Sequence, residues 1–128
     1  MNGIEFDTAQ TGFSAVLKDW QLKAMQVIWH TPEGANSRKV WQEVNKMLGR
    51  DTISRASIIN FLNDMKELGV LDGDDRTGKG GHYLVYKLGM NEAEFKYFIA
   101  SKMLESLMRG FPIETRVTLD KIRLETQF

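Results

Sequence analysis

Ser54, Arg55, Ser57, Asn60 and Asn63 are the side chains best suited to recognition chemistry in this chain. They lie within DTISRASIINFLNDMKELGVL, residues 51 to 71. Ile58, Phe61, Leu62, Met65 and Leu68 recur there at intervals of three and four, which predicts a helix with one apolar side. The polar set falls on the opposite side. Short hydroxyls, amides and a guanidinium match base edges and phosphates in a DNA major groove. A merely solvated face more often carries Glu and Lys, and for each residue the competing reading is an exposed side chain touching nothing. The expected roles are Arg55 on a phosphate or a guanine, and Asn60 on an adenine or a phosphate.

More cations flank this stretch. Arg38 and Lys39 open the preceding helical segment, where they would hold a phosphate backbone and set register. Arg76 and Lys79 lie in GDDRTGKGG, a turn-rich run after the central helix, with His82 just beyond. His82 near Arg76 and Lys79 could touch phosphate, and a basic hairpin there would reach along the backbone or into the minor groove. The competing reading is a surface hairpin with no ligand.

Other chemistries find little support. Gly73 to Lys79 satisfies the first part of a phosphate-binding loop, but Gly80 stands where Ser or Thr would hold magnesium, and a strand is expected where a helix should begin. His30 and His82 are the two histidines, in different elements, with no carboxylate at metal-site spacing. Cysteine is absent, which excludes disulfides, thiolate metal sites and cysteine nucleophiles. Ser, His and Asp lack a nucleophile-elbow context. No enzyme, metal or cofactor is expected. Trp29 and Trp41 fall on inner stripes, where core packing outranks stacking on a cofactor.

Composition places the chain among water-soluble globular proteins, with 42% hydrophobic and 27% charged residues over 128 positions. No run approaches the roughly 20 apolar residues of a membrane span. The opening MNGIEFDTAQ has neither a basic flank nor an apolar core, so a cytoplasmic location is expected. Seventeen basic and seventeen acidic residues cancel, although many DNA-binding domains are strongly basic. Within residues 17 to 69, however, eight Lys or Arg face six acids, so the small positive excess sits beside the polar helix.

The elements that must position these groups follow in order. Residues 1–16 show no sustained period; Ile4, Phe6 and Phe13 could pack as an arm. Leu17 to His30 reads as a first helix, broken by Thr31-Pro32-Glu33-Gly34. Asn36 or Ser37 can cap a second helix that ends at Gly49, with Val40, Trp41, Val44, Met47 and Leu48 as its inner stripe. The central helix follows a short link and stops at Gly69. Val70-Leu71-Asp72 and His82 to Leu88 are expected strands around the turn-rich run. Residues 91 to 109 form a further helix, capped by Asn91, with Phe95, Phe98, Ile99, Met103 and Leu107 in a wide apolar stripe. Pairing with a second copy is the favoured use of that stripe, against packing wholly on its own domain. Ile113, Thr115, Val117 and Leu119 alternate as in a strand, although TLDKIRLE reads equally as one or two helical turns.

Residues 17 to 109 resemble the penicillinase-repressor (BlaI and MecI) family of winged-helix regulators. The likeness rests on Leu17, Met25 and Trp29 in the first helix, then on Ser54, Ser57, Gly69, Val70 and Leu71. Regulators of the MarR and PadR types share much of this pattern. The resemblance implies a homodimeric repressor reading a dyad-symmetric operator, released by an inducer or sensor that no residue here specifies. Ala56 and Ile59 stand where family members often carry a basic residue, so the base contacts must differ. The expectation is a mainly α fold with a small β-hairpin wing, a winged helix-turn-helix with a C-terminal dimerisation helix. The expected division is an arm over 1–16, a winged-helix domain over 17–89, a dimerisation helix over 90–112 and an extension over 113–128. From a different class, a winged helix used as a protein-interaction module is the alternative, favoured by neutral net charge and by Asp72, Asp74 and Asp75.

Overall fold

The computed structural model describes residues 4–126, in which each helix is delimited by side-chain or backbone caps that the sequence supplies. A short 3-10 turn over Gly12–Ala15 precedes α1 (Asp19–Trp29), α2 (Ser37–Leu48) and α3 (Arg55–Glu67). A hairpin of β1 (Leu71–Gly78) and β2 (Gly81–Leu88) follows, then α4 (Glu92–Gly110) and α5 (Pro112–Glu125). Asn36 caps α2 by accepting the Lys39 backbone N–H at 2.8 Å. At α4 the capping is reciprocal: Asn91 Oδ1 accepts the Glu94 N–H at 2.8 Å, and Glu94 Oε1 accepts the Asn91 N–H at 3.1 Å.

The end of α3 needs glycine. Gly69 takes φ +80°, its N–H bonds to Lys66 O, and the Val70 N–H bonds to Met65 O at 2.9 Å. These two bonds close a Schellman motif, which turns the chain from helix directly into β1. Gly34 is required for a different reason. A Cβ there would come within 2.6 Å of Val85 Cγ1, and its φ is +89°. That close approach lets Ala35 and Tyr86 exchange two backbone hydrogen bonds, 2.9 and 2.8 Å, so the loop after α1 bridges the free edge of β2 at one residue.

The core lies where α1, α2, α3 and the base of the hairpin meet. Met25, Ile28, Val40, Val44, Ile58, Leu62, Met65, Val70, Leu71 and Tyr86 belong to one buried cluster, which the periodic positions of each helix were expected to supply. Met47 is an exception: it is 49% exposed rather than part of the inner stripe of α2. The N-terminal segment contributes more than its sequence announces. Phe13 stacks on Phe95 at 5.9 Å and tilts against Trp29 at 5.6 Å, so the 3-10 turn ties α1 to α4 through three rings.

Two expected elements differ. The run GDDRTGKGG is mostly strand: β1 pairs with β2 in register from Leu71↔Leu88 to Gly78↔Gly81, leaving a two-residue turn at Lys79 and Gly80. Gly and Asp disfavour strands locally, but cross-strand pairing overrides that preference. Lys87 reaches Asp74 at 2.6 Å, and Gly78 leaves room beneath the Tyr83 ring, where a Cβ would lie 3.0 Å from Cε1. Residues 112 to 125 are helix rather than strand. Pro112 at the first turn presets φ for a helix, and Thr115 and Thr118 turn their hydroxyls onto the Phe111 and Glu114 carbonyls at 2.6 and 2.7 Å. These local devices override the β-branched bias of Ile113, Thr115 and Val117.

Helix-turn-helix joined to a hairpin through α3 makes this a winged helix, mainly α with a two-stranded antiparallel wing.

Candidate nucleic-acid interface

The surface of interest is built from the start of α3 outwards. Ser54 is its N-cap: Ser54 Oγ accepts the Ser57 N–H at 3.1 Å and lies 2.9 Å from Ser57 Oγ. Both hydroxyls therefore hold the first turn of the helix. Arg55, Ala56 and Asn60 are exposed, and Ser57 and Ile59 are half-buried beside them. No acidic side chain occurs from Ser54 to Asn63, so the outer face of the first two turns carries one fixed positive charge and otherwise neutral groups.

What aims this face is a clamp at the turn between α2 and α3. Asn45, on α2, presents its side-chain amide to the backbone of Ile53. Its Oδ1 accepts the Ile53 N–H at 2.8 Å, and its Nδ2 donates to the Ile53 carbonyl at 3.2 Å. Trp41 Nε1 donates to the same carbonyl at 3.0 Å. One side-chain amide thus replaces a missing backbone partner, as a sheet rung would. Ile53 is the residue before the N-cap, so the clamp sets the direction from which α3 begins. Asn45 escaped sequence reasoning, because an isolated Asn in a helix is ordinarily a solvated residue. Trp41 was expected only as core; its indole N–H also orients the site.

Asn63 has another task. Its Oδ1 accepts a hydrogen bond from the Tyr86 hydroxyl at 2.6 Å, and the pair is partly buried. The amide oxygen is therefore directed onto β2, where it struts α3 against the wing. Burial raises the Tyr86 hydroxyl above its ordinary pKa, which keeps it protonated as a donor.

The basic residues fall into two groups. Arg38 and Lys39 are exposed in the first turn of α2, where the helix N-terminus adds its own partial positive charge. Arg76, Lys79 and His82 are exposed on the wing, but they do not form one cluster. Arg76 pairs with Tyr83 across the ladder and His82 with Thr77; neighbouring rungs point to opposite faces, so Arg76 and His82 lie on different sides of the hairpin. Lys79 occupies the turn. Asp74 holds Lys87 at 2.6 Å and stands 3.9 Å from Arg76, and the Lys87 ammonium pulls the Asp74 carboxyl below its usual range. Asp74 is thereby matched chiefly by Lys87 and secondarily by Arg76, while Asp72 and Asp75 stand exposed on the same strand.

The apolar stripe on α4 divides. Phe95 is 1% exposed and sits among Phe13, Trp29 and Phe98, so its expected place in a subunit interface is corrected: it is core. Phe98 and Ile99 pack partly on that core. Farther along, Leu104 and Leu107 are open to solvent, as are Ile113, Val117 and Leu124 on α5. Those last three recur at four and seven residues; Leu119 and Ile122, on the other side of α5, are exposed as well, and Thr115 alone is buried.

Among the described residues no group of three or more His, Cys, Asp or Glu could hold a metal ion, and no helix is long and apolar enough to cross a membrane. The run from Gly73 to Lys79 is strand and turn, with no helix N-terminus to meet a phosphate.

No family model matches the chain, so the likeness to penicillinase repressors rests on Leu17, Met25, Trp29 and the α3 residues themselves. No curated protein matches it either. Among solved structures, the Vibrio cholerae ferric uptake regulator (Fur), whose crystal structure is described as revealing a rearrangement of its DNA-binding domains, is similar at 17% identity and a TM-score of 0.43. The likeness covers 62% of this chain and 57% of that one. At that level it says nothing of function, and the winged-helix assignment stands on the element order and register of this chain.

Proposed function

We propose that this protein is a sequence-specific, double-stranded DNA-binding transcriptional regulator of penicillinase-repressor type, acting as a homodimeric repressor on a dyad-symmetric operator. The observation that carries the reading is the start of α3: an exposed, acid-free polar face, clamped at Ile53 by Asn45 and Trp41, next to a hairpin with a basic turn. In the major groove, Arg55, Ser57 and Asn60 meet base edges and phosphates, and Ser54 orients them as the cap. Arg38, Lys39, Arg76 and Lys79 contact the sugar-phosphate backbone, with His82 on the other side of the wing.

Dimerisation is supported by apolar side chains that one copy leaves open. Leu104 and Leu107 of α4, Phe111 between the helices, and Ile113, Val117, Leu119, Ile122 and Leu124 of α5 are all exposed. Exposed apolar surface on this scale marks an interaction site, and a two-fold pairing covers the same surface on both copies. Met103 belongs with it; Phe98 and Ile99 border it.

The test is duplex binding as a function of salt. Four phosphate contacts per protomer give a log–log slope of roughly −3.6 per protomer. Arg55→Ala should weaken binding by about 1–3 kcal/mol, and an unchanged affinity removes Arg55 from the interface. A protein-interaction module, the alternative drawn from neutral net charge and the wing acids, would bind no duplex at any salt concentration.

A further inference from the structure

Given the DNA-binding reading above, we infer that each protomer reads a half-site dominated by A·T pairs, with Asn60 on adenine and with Ala56 and Ile59 against thymine methyl groups. The inference comes from what remains on the outer face of α3 after its internal contacts are counted. Ser54 and Ser57 bond to each other and cap the helix, which leaves Ser57 to a phosphate rather than a base edge. Asn63 is held by Tyr86. Arg55, Ala56, Ile59 and Asn60 are left with exposed or half-exposed side chains.

Base edges ask for different partners. Guanine is met by Arg or Lys, cytosine N4 by a carboxylate, adenine by the paired donor and acceptor of Asn or Gln, and the thymine methyl by apolar carbon. No carboxylate or Lys occurs from Ser54 to Asn63, so cytosine lacks its carboxylate reader and guanine has Arg55 alone. Asn60 supplies the adenine pair. Ala56 and Ile59 supply apolar carbon at four and one residues before it, and residues three and four apart on a helix stand only about 5–6 Å apart. Ala56 therefore neighbours both Ile59 and Asn60, which flank it on the helix surface, and the set spans adjoining base pairs, which rise by about 3.4 Å each.

The experiment uses the full chain and a random duplex pool, followed by binding to the enriched duplex and to copies altered one base at a time. The enriched half-site should be mostly A·T, and replacing the preferred A·T pair under Asn60 by G·C should weaken binding roughly 5- to 150-fold. Replacing thymine by uracil, which deletes only the methyl group, should weaken it about fourfold at one or two positions. Ala56→Gly or Ile59→Ser should abolish the uracil penalty at its own thymine, and Asn60→Ala should level discrimination at its adenine, each with an unchanged circular dichroism spectrum. A G·C-rich enriched half-site, or indifference to uracil at every position, would overturn this inference while leaving DNA binding intact. Absence of any duplex binding at low salt would overturn the underlying functional reading instead.

Discussion

Removing the Asn45 side chain should unfasten α3 without touching its outer face. In Asn45→Ala the Ile53 N–H loses its 2.8 Å acceptor, while the Ile53 carbonyl loses one donor but keeps Trp41 at 3.0 Å. The cost is therefore dominated by one donor left without a partner in a half-buried turn. Such a group costs about 1–3 kcal/mol, and the second hydrogen bond adds up to about 1 kcal/mol. A total near 2 kcal/mol lowers the midpoint of thermal unfolding by roughly 6–10 °C for a chain of this size. Asn45→Asp keeps an acceptor for the N–H but sets a charged oxygen against the Ile53 carbonyl, so it should fall between wild type and alanine. Operator affinity should decline along the same order, because the variants change the entry direction of α3 and not its contacts. Differential scanning calorimetry and fluorescence anisotropy on labelled duplex read the two effects separately. An Asn45→Ala protein within 0.5 kcal/mol of wild type would show that the turn holds its shape without the clamp.

Three further outcomes are expected. Phe95→Ala should cost about 3–5 kcal/mol of stability, since it empties the space shared with Phe13 and Trp29; Leu107→Glu should instead leave the fold intact and shift sedimentation toward monomer, and the reverse pattern would restore Phe95 to the subunit interface. Tyr86→Phe leaves Asn63 without its donor and should cost about 1–2 kcal/mol, with a weaker contribution of Arg76 and Lys79 to binding, measured by repeating the salt titration. The wing should also be acid-sensitive. The Asp74 carboxyl is held below its ordinary 3.8 by Lys87, so the stabilisation it brings is complete above pH 3.8 and is lost as pH falls through its lowered value. Carboxyl NMR across that window should show the low midpoint in wild type and a return toward 3.8 in Lys87→Ala.

Most of the fold was legible because its helices announce themselves locally. Apolar residues at three and four, Asn36 and Asn91 at the caps, and Gly69 at a helix end are all short-range signals, and the caps and glycine mark element boundaries to within one or two residues. The candidate contacts Arg55, Ser57 and Asn60 were legible for the same reason: the buried stripe of α3 leaves them one side. Tertiary structure alone decided the rest. Gly73 to Gly78 became strand because β2 lies alongside it. Asn63 turned its amide oxygen to Tyr86, twenty-three residues away, and Phe95 left the expected interface for rings that Phe13 and Trp29 bring from the far end of the chain. Asn45 acquired its role only when Ile53 came within hydrogen-bonding reach. A helix period is written in neighbouring residues, whereas the partner of a polar group or an aromatic ring is set by which distant segments the folded core brings together.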